Sequence, residues 1–155
     1  MLRKYAKGDV LAVPVGDEHV ALAQIVEKLS GNILVAVFPE LLGAGESVEV
    51  ATAKLDEPVF LAETMDLRIK EGVWRVLGNR EVSPAIPVPG YKVWVEPPGE
   101  YRRQDIHGTV GEPISAEEAE TLKRHKSYSP AVIETALRGL HGFGPWRAVF
   151  DELAV

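Results

Sequence analysis

Three apolar runs within the first forty residues constrain this chain more than any other feature. Lys7-Gly8-Asp9 is a turn that opens directly into Val10-Leu11-Ala12-Val13-Pro14-Val15, which Gly16-Asp17 closes. His19 to Val26 is a second run, Ser30-Gly31-Asn32 is a turn signal, and Ile33 to Phe38 is a third run stopped by Pro39. Short β-branched runs bounded by such residues pair as an antiparallel meander. Both faces of each run are apolar but unequal, because Ala12, Ala21, Ala23 and Ala36 are small. That inequality predicts a curled, barrel-like sheet with one face inside and the other covered by later parts of the chain. Pro14 predicts an edge or a bulge near the end of the first run.

The remaining segments fit that frame. Glu40 to Ala53 is looser, with Gly43-Ala44-Gly45 as a flexible turn, and Pro58 to Met65 is a strand. Asp66 to Glu71 makes one helical turn ended by Gly72, and Val73-Trp74-Arg75-Val76-Leu77 is a short strand. Pro84, Pro87 and Pro89 force an extended crossing, after which Tyr91 to Glu96 and Tyr101 to Ile106 form strands about the Pro97-Pro98-Gly99 turn. Beyond Pro113 the period changes. Ser115-Ala116-Glu117-Glu118 is a capping box for a helix to about Lys126. Ser129-Pro130 opens a second helix with an apolar stripe of Val132, Ile133, Ala136, Leu137 and Leu140. Gly139 and Gly142 end it, and Trp146, Val149 and Phe150 make an apolar tail. The expected architecture is α+β and mostly β: an antiparallel barrel-like sheet followed by a C-terminal helical hairpin. It is read as one domain over residues 1–155, with 1–112 mainly β and 113–155 mainly helical and packed on the sheet.

At 155 residues the chain can bury a substantial core. A net charge of −6 disfavours nucleic acid or an anionic membrane as a partner and attracts a basic protein. The absence of cysteine removes disulfides, thiolate catalysis and cysteine metal sites, and suits a reducing cytoplasm. No apolar run approaches the ~20 residues that span a bilayer, and no signal peptide is read at the start.

Catalytic patterns are sparse. His19, His107, His125 and His141 lack the helical spacing of a zinc motif, and no Gly-x-Ser-x-Gly elbow occurs. Gly43-Ala44-Gly45-Glu46-Ser47 lacks the lysine of a phosphate loop. Asp9 is read as a turn carboxylate capping its own backbone, with an acid or anchoring role as the functional alternative. Arg102-Arg103 and Lys123-Arg124-His125-Lys126 could join Tyr91, Trp94 and Tyr101 in a stacking surface. Macrodipole complementarity with Glu117, Glu118 and Glu120 explains the second basic cluster more simply. Trp74 and Trp94 are read first as core residues, with an interface role as the alternative. From Glu46 to Asp66, six acids (Glu46, Glu49, Asp56, Glu57, Glu63, Asp66) meet one base, Lys54, a local excess of five negative charges. These six are the candidate partner-binding residues, because concentrated negative charge steers a basic partner. No catalytic residue, metal site or cofactor is assigned.

The ordered series Lys4-Tyr5-Ala6-Lys7-Gly8-Asp9-Val10-Leu11-Ala12-Val13-Pro14-Val15, Val20 to Val26, Val37-Phe38, Pro58-Val59-Phe60, Ile69-Lys70-Glu71-Gly72, Trp74-Arg75-Val76-Leu77-Gly78, Tyr101-Arg102-Arg103 and the helical tail from Ser115 resembles the immunity protein 26 family of bacterial polymorphic toxin systems. The resemblance covers most of the chain. It implies a mostly β fold and a non-enzymatic protein that neutralises a cognate toxin in the cytoplasm. Asp9, Trp74 and Gly78 match its pattern as fold determinants. A competing resemblance, through Gly8-Asp9-Val10 and the strand that follows, is to the messenger-RNA-cutting toxins of toxin–antitoxin pairs, which implies a small-barrel endoribonuclease. A barrel that binds a small molecule is the third reading.

Overall fold

A computed structural model of the chain describes residues 3–155. The fold is α+β and mostly β, and it resolves into two compact units. One contains the chain up to Ile86 together with Ser127–Val155, and the other is Pro87–Lys126. The segment 113–155 is thereby divided between them.

The larger unit holds a six-stranded sheet of β1 (Asp9–Val15), β2 (His19–Lys28), β3 (Asn32–Gly43), β4 (Phe60–Met65), β5 (Arg75–Asn79) and β9 (Ser127–Tyr128), in the order β5-β1-β2-β3-β4-β9. Pairing is antiparallel except between β4 and β9. The meander is therefore present. The expected barrel is not closed, because β5 and β9 remain two separate edges. Irregularities in the β1–β5 and β2–β3 ladders bend the sheet. Pro39 does not stop β3: it falls between the register positions Val37 and Leu41, in one of these irregularities, and past the last β4 pair, so no ladder donor is lost. Pro14 lies beyond the end of the β5 pairing, a position of edge character.

Alternate residues of the strands build the core. Leu11, Val13, Ala21, Ala23, Ile25, Ile33, Val35 and Val37 form one face, packed with Ile69, Trp74, Ile133, Ala136 and Leu137. Ile69 comes from α1 (Leu67–Lys70), and Ile133, Ala136 and Leu137 come from the stripe of α3 (Pro130–Leu140). Phe150 and Leu153, on a 3-10 helix at Ala148–Leu153, complete the cluster. Trp74 is fully buried, and its indole N–H donates to the Glu134 carboxylate at 2.9 Å. Such a donor needs a buried acceptor, and Glu134 on α3 supplies it.

The smaller unit carries an antiparallel sheet of β6 (Tyr91–Val95), β7 (Glu100–Gln104) and β8 (Val110–Pro113), with helix α2 (Ala116–Thr121). Ser115 caps α2 by accepting from the Glu118 N–H at 3.1 Å. The expected helical hairpin is not formed. The helix ends at Thr121 rather than near Lys126, and the chain from 127 pairs as β9 with β4 before α3 begins. Among the described residues no helix is long and apolar enough to cross a membrane.

Candidate functional site

The six acidic candidates separate into two groups. Glu63 and Asp66 are buried. Asn32 donates to Glu63 at 2.8 Å, while Tyr5 donates to Asp66 and Lys70 pairs with it at 3.2 Å. Burial pushes the Tyr5 phenol pKa up, and the adjacent Asp66 carboxylate pushes it further in the same direction. These two acids are engaged within the fold by Asn32, Tyr5 and Lys70. Their place in sequence beside the other acids gives no sign that they sit on and just after β4, buried and hydrogen-bonded.

Glu46, Glu49, Asp56 and Glu57 are exposed on the loop between β3 and β4. That loop is tied down rather than free. Arg80 donates to the carbonyls of Val50 and Ala53, and Leu55 is 1% exposed. Gly78 lets the loop approach β5, since a Cβ there would meet Val50 Cγ2 at 3.2 Å. At the start of the loop Glu46 accepts from the Gly43 N–H at 3.2 Å, and Gly43 is the register partner of His19.

His19 leads to residues that the sequence reading left as an apolar tail or passed over. The Phe143 ring stacks on His19 with centroids 5.4 Å apart. Phe143 is placed by the end of α3. Gly142, at φ +79°, takes the left-handed conformation, its N–H donates to Gly139, and the Phe143 N–H donates back to Arg138 at 2.8 Å. Three residues on, Trp146 stacks on Phe60 at 6.3 Å, meets Phe150 edge-on at 5.2 Å and donates from its indole to Asp151 at 3.0 Å. Gly139 gives room for this segment, because a Cβ there would lie 3.0 Å from the Pro145 carbonyl oxygen. Phe143 is nevertheless 51% exposed and Trp146 44%, and Leu140 beside them is exposed too. The signal for this surface was present as aromatics set among Gly142, Gly144 and Pro145, outside any periodic element.

The other sequence candidates take structural places. Asp9 is buried, accepting from the Ala6 N–H at 2.8 Å and from the Asn79 amide at 2.9 Å, so its carboxylate closes a turn and ties β1 to β5. His141 ends α3; burial first, and then nearby His19, hold its pKa below the usual imidazole value. In the smaller unit the register pairs Lys92 with Arg103 and Trp94 with Tyr101, on one face. Trp94 meets Tyr101 edge-on at 4.9 Å, Lys92 lies 5.3 Å from the Tyr101 ring centre, and Arg124 reaches the Tyr101 hydroxyl at 3.5 Å. Glu118 engages Arg103, so part of this basic charge is compensated. Among the described residues no group of three or more His, Asp or Glu is placed to hold a metal ion. Comparison with protein-family models, with curated proteins and with solved structures finds no match.

Proposed function

We propose that this chain is a non-enzymatic immunity protein that binds a cognate bacterial toxin in the cytoplasm and neutralises it by covering its working surface. The observation that carries this reading is the pair Phe143 and Trp146, half exposed yet held by stacking, by the α3 terminus and by Asp151. Large aromatics fixed in one orientation lose little freedom on binding, and residues of this kind dominate interface energetics. Glu46 accepts from the N–H of Gly43, the register partner of the His19 on which Phe143 stacks, and Glu49, Asp56 and Glu57 extend the negative charge along the pinned loop. An apolar centre with a charged rim is the anatomy of a protein interface. The complementary toxin surface is an apolar socket with a basic rim. The resemblance to the immunity protein 26 family supports the same conclusion.

The test is co-purification with the toxin encoded by the neighbouring gene, together with survival of cells that express it. Wild-type protein binds and protects. Phe143→Ala weakens the complex by about tenfold or more without lowering the melting temperature. Charge reversal at Glu46, Glu49, Asp56 and Glu57 slows association and flattens its salt dependence, with a smaller effect on dissociation. Failure of the wild-type protein to bind or protect overturns the proposal.

A further inference from the structure

We propose that a second site, independent of the toxin-binding reading, takes a free α-amino acid with a small aliphatic side chain. The site is a cavity of about 230 Å³ bounded by the β1–β2 turn, α1 and α3. This volume lies just below the ~300 Å³ at which pockets for drug-sized ligands begin, which suits a ligand of amino-acid size. Two guanidinium groups, Arg68 and Arg138, line it. Together they offer about ten N–H donors. Arg68 reaches Glu134 only at 3.5 Å and Arg138 reaches the Thr135 hydroxyl only at 3.4 Å, both at the outer limit of hydrogen bonding.

Two carboxylates share the cavity. Glu134 is fixed by the Trp74 indole through Oε2, which leaves Oε1 with the long contact to Arg68. Asp17, on the β1–β2 turn, also lines it. A lone anion entering here meets two carboxylates, and a lone cation meets two guanidiniums. A ligand with a carboxylate and an ammonium one carbon apart satisfies both pairs, the carboxylate on the arginines in a bidentate contact and the ammonium on Glu134 and Asp17. Pro14 and the exposed side chain of Val73 form an apolar wall for the rest of the molecule.

Calorimetric titration of the full chain with L-leucine tests the inference, with 4-methylpentanoate as the carboxylate-only probe and 3-methylbutylamine as the ammonium-only probe. Leucine binds saturably below about 1 mM and the two half-ligands bind at least tenfold more weakly. Arg138→Ala weakens leucine about tenfold or more. Glu134→Gln does the same while keeping an amide oxygen to accept from Trp74, so its melting temperature stays near wild type. The NMR signal of the Trp74 indole N–H shifts with leucine in the wild type, reporting from a group bonded to the cavity wall. No saturable heat up to about 10 mM leucine, equal binding of 4-methylpentanoate, or unchanged affinity in both variants overturns the proposal.

Discussion

In the larger unit Leu11, Val13, Ile25, Ile33, Val35, Trp74, Ile133 and Leu137 are all at zero or one per cent exposure or below, whereas between Pro87 and Lys126 the apolar residues buried to a comparable class are Ile106 and Ala119, among the described residues. The smaller unit is laced instead by ring and charge contacts: Trp94 on Tyr101, Lys92 over Tyr101, Tyr91 on His125, Arg103 with Glu118, Arg102 with Glu100, and Lys92 bonded to the Ala119 carbonyl at 2.7 Å. Burial contributes about 25 cal/mol per Å² and is insensitive to salt, while exposed ion pairs contribute about 1 kcal/mol at most and are screened. One chain thus contains a region held by a core and a region held by its surface. The lower-stability openings of this protein belong to the second.

The two tryptophans sharpen this contrast most. Trp74→Ala empties the middle of the core and leaves the Glu134 carboxylate without its indole donor, so it costs about 3–5 kcal/mol in urea unfolding. Trp94→Ala removes an indole that is half exposed and edge-packed on Tyr101, a loss of about 1 kcal/mol. Comparable costs for the two variants would break the distinction between the units. Next in size is Asp9→Ala, which leaves the Ala6 N–H and the Asn79 amide without their acceptor, and it lowers stability by about 1–3 kcal/mol. Its effect is read as earlier exchange of the amides along β1 and β5.

Much of the larger unit was legible because its runs are short, β-branched and punctuated: β1, β2, β4, α1 and α3 stand where apolar period and Gly or Pro place them. β9 was not legible, because two residues whose pairing partners, Glu63 and Thr64, lie in a strand far earlier in the chain leave no local pattern. β8 was missed because Val110–Pro113 is exposed throughout and carries no alternation. The end of α2 was misplaced because Lys123 to Lys126 suits a helix C-terminus electrostatically, while the backbone leaves helical geometry at Leu122, with ψ 143°. Of the candidate surface, the charge was visible and its disposition was not. Nothing local separates Glu57, which is exposed, from Glu63, which is buried on β4 and accepts from Asn32. Trp146 reads in sequence as part of an apolar tail and Phe143 falls in no pattern, because their exposure depends on the turn after α3 and on what His19 and Phe60 place beneath them.

A smaller effect separates the units by pH. His141, in the larger unit, has its pKa lowered by burial and by His19, so the unfolded chain takes up the proton more readily than the folded one. The associated stability is fully present above the ordinary value of 6.5 and is lost as pH falls through the lowered folded value. Acidification below 6.5 therefore removes the stability that His141 contributes at the end of α3. His141→Asn makes the unfolding midpoint less dependent on pH below 6.5, measured as the difference from wild type. An identical pH dependence in the variant would remove His141 from this role.

The smallest predicted effect is the most specific to the surface-held unit. Arg103 and Glu118 join β7 to the first turn of α2, with side chains 51% and 39% exposed. A pair so open to water contributes about 0.2–1 kcal/mol. Raising sodium chloride to about 1 M shortens the screening distance to about 3 Å and removes most of that contribution. Amides of β6 and β7 then exchange faster, while those of β1, β2 and β3, whose residues pack in the apolar core, keep their protection. Arg103→Gln reproduces the high-salt loss without added salt and makes the smaller unit less responsive to further salt. Equal salt sensitivity of both sheets, or none in β6 and β7, would show that the three-stranded unit is not held by its charges, and the weight would then fall on Trp94, Tyr101 and the Tyr91–His125 stack, whose contacts salt leaves largely intact.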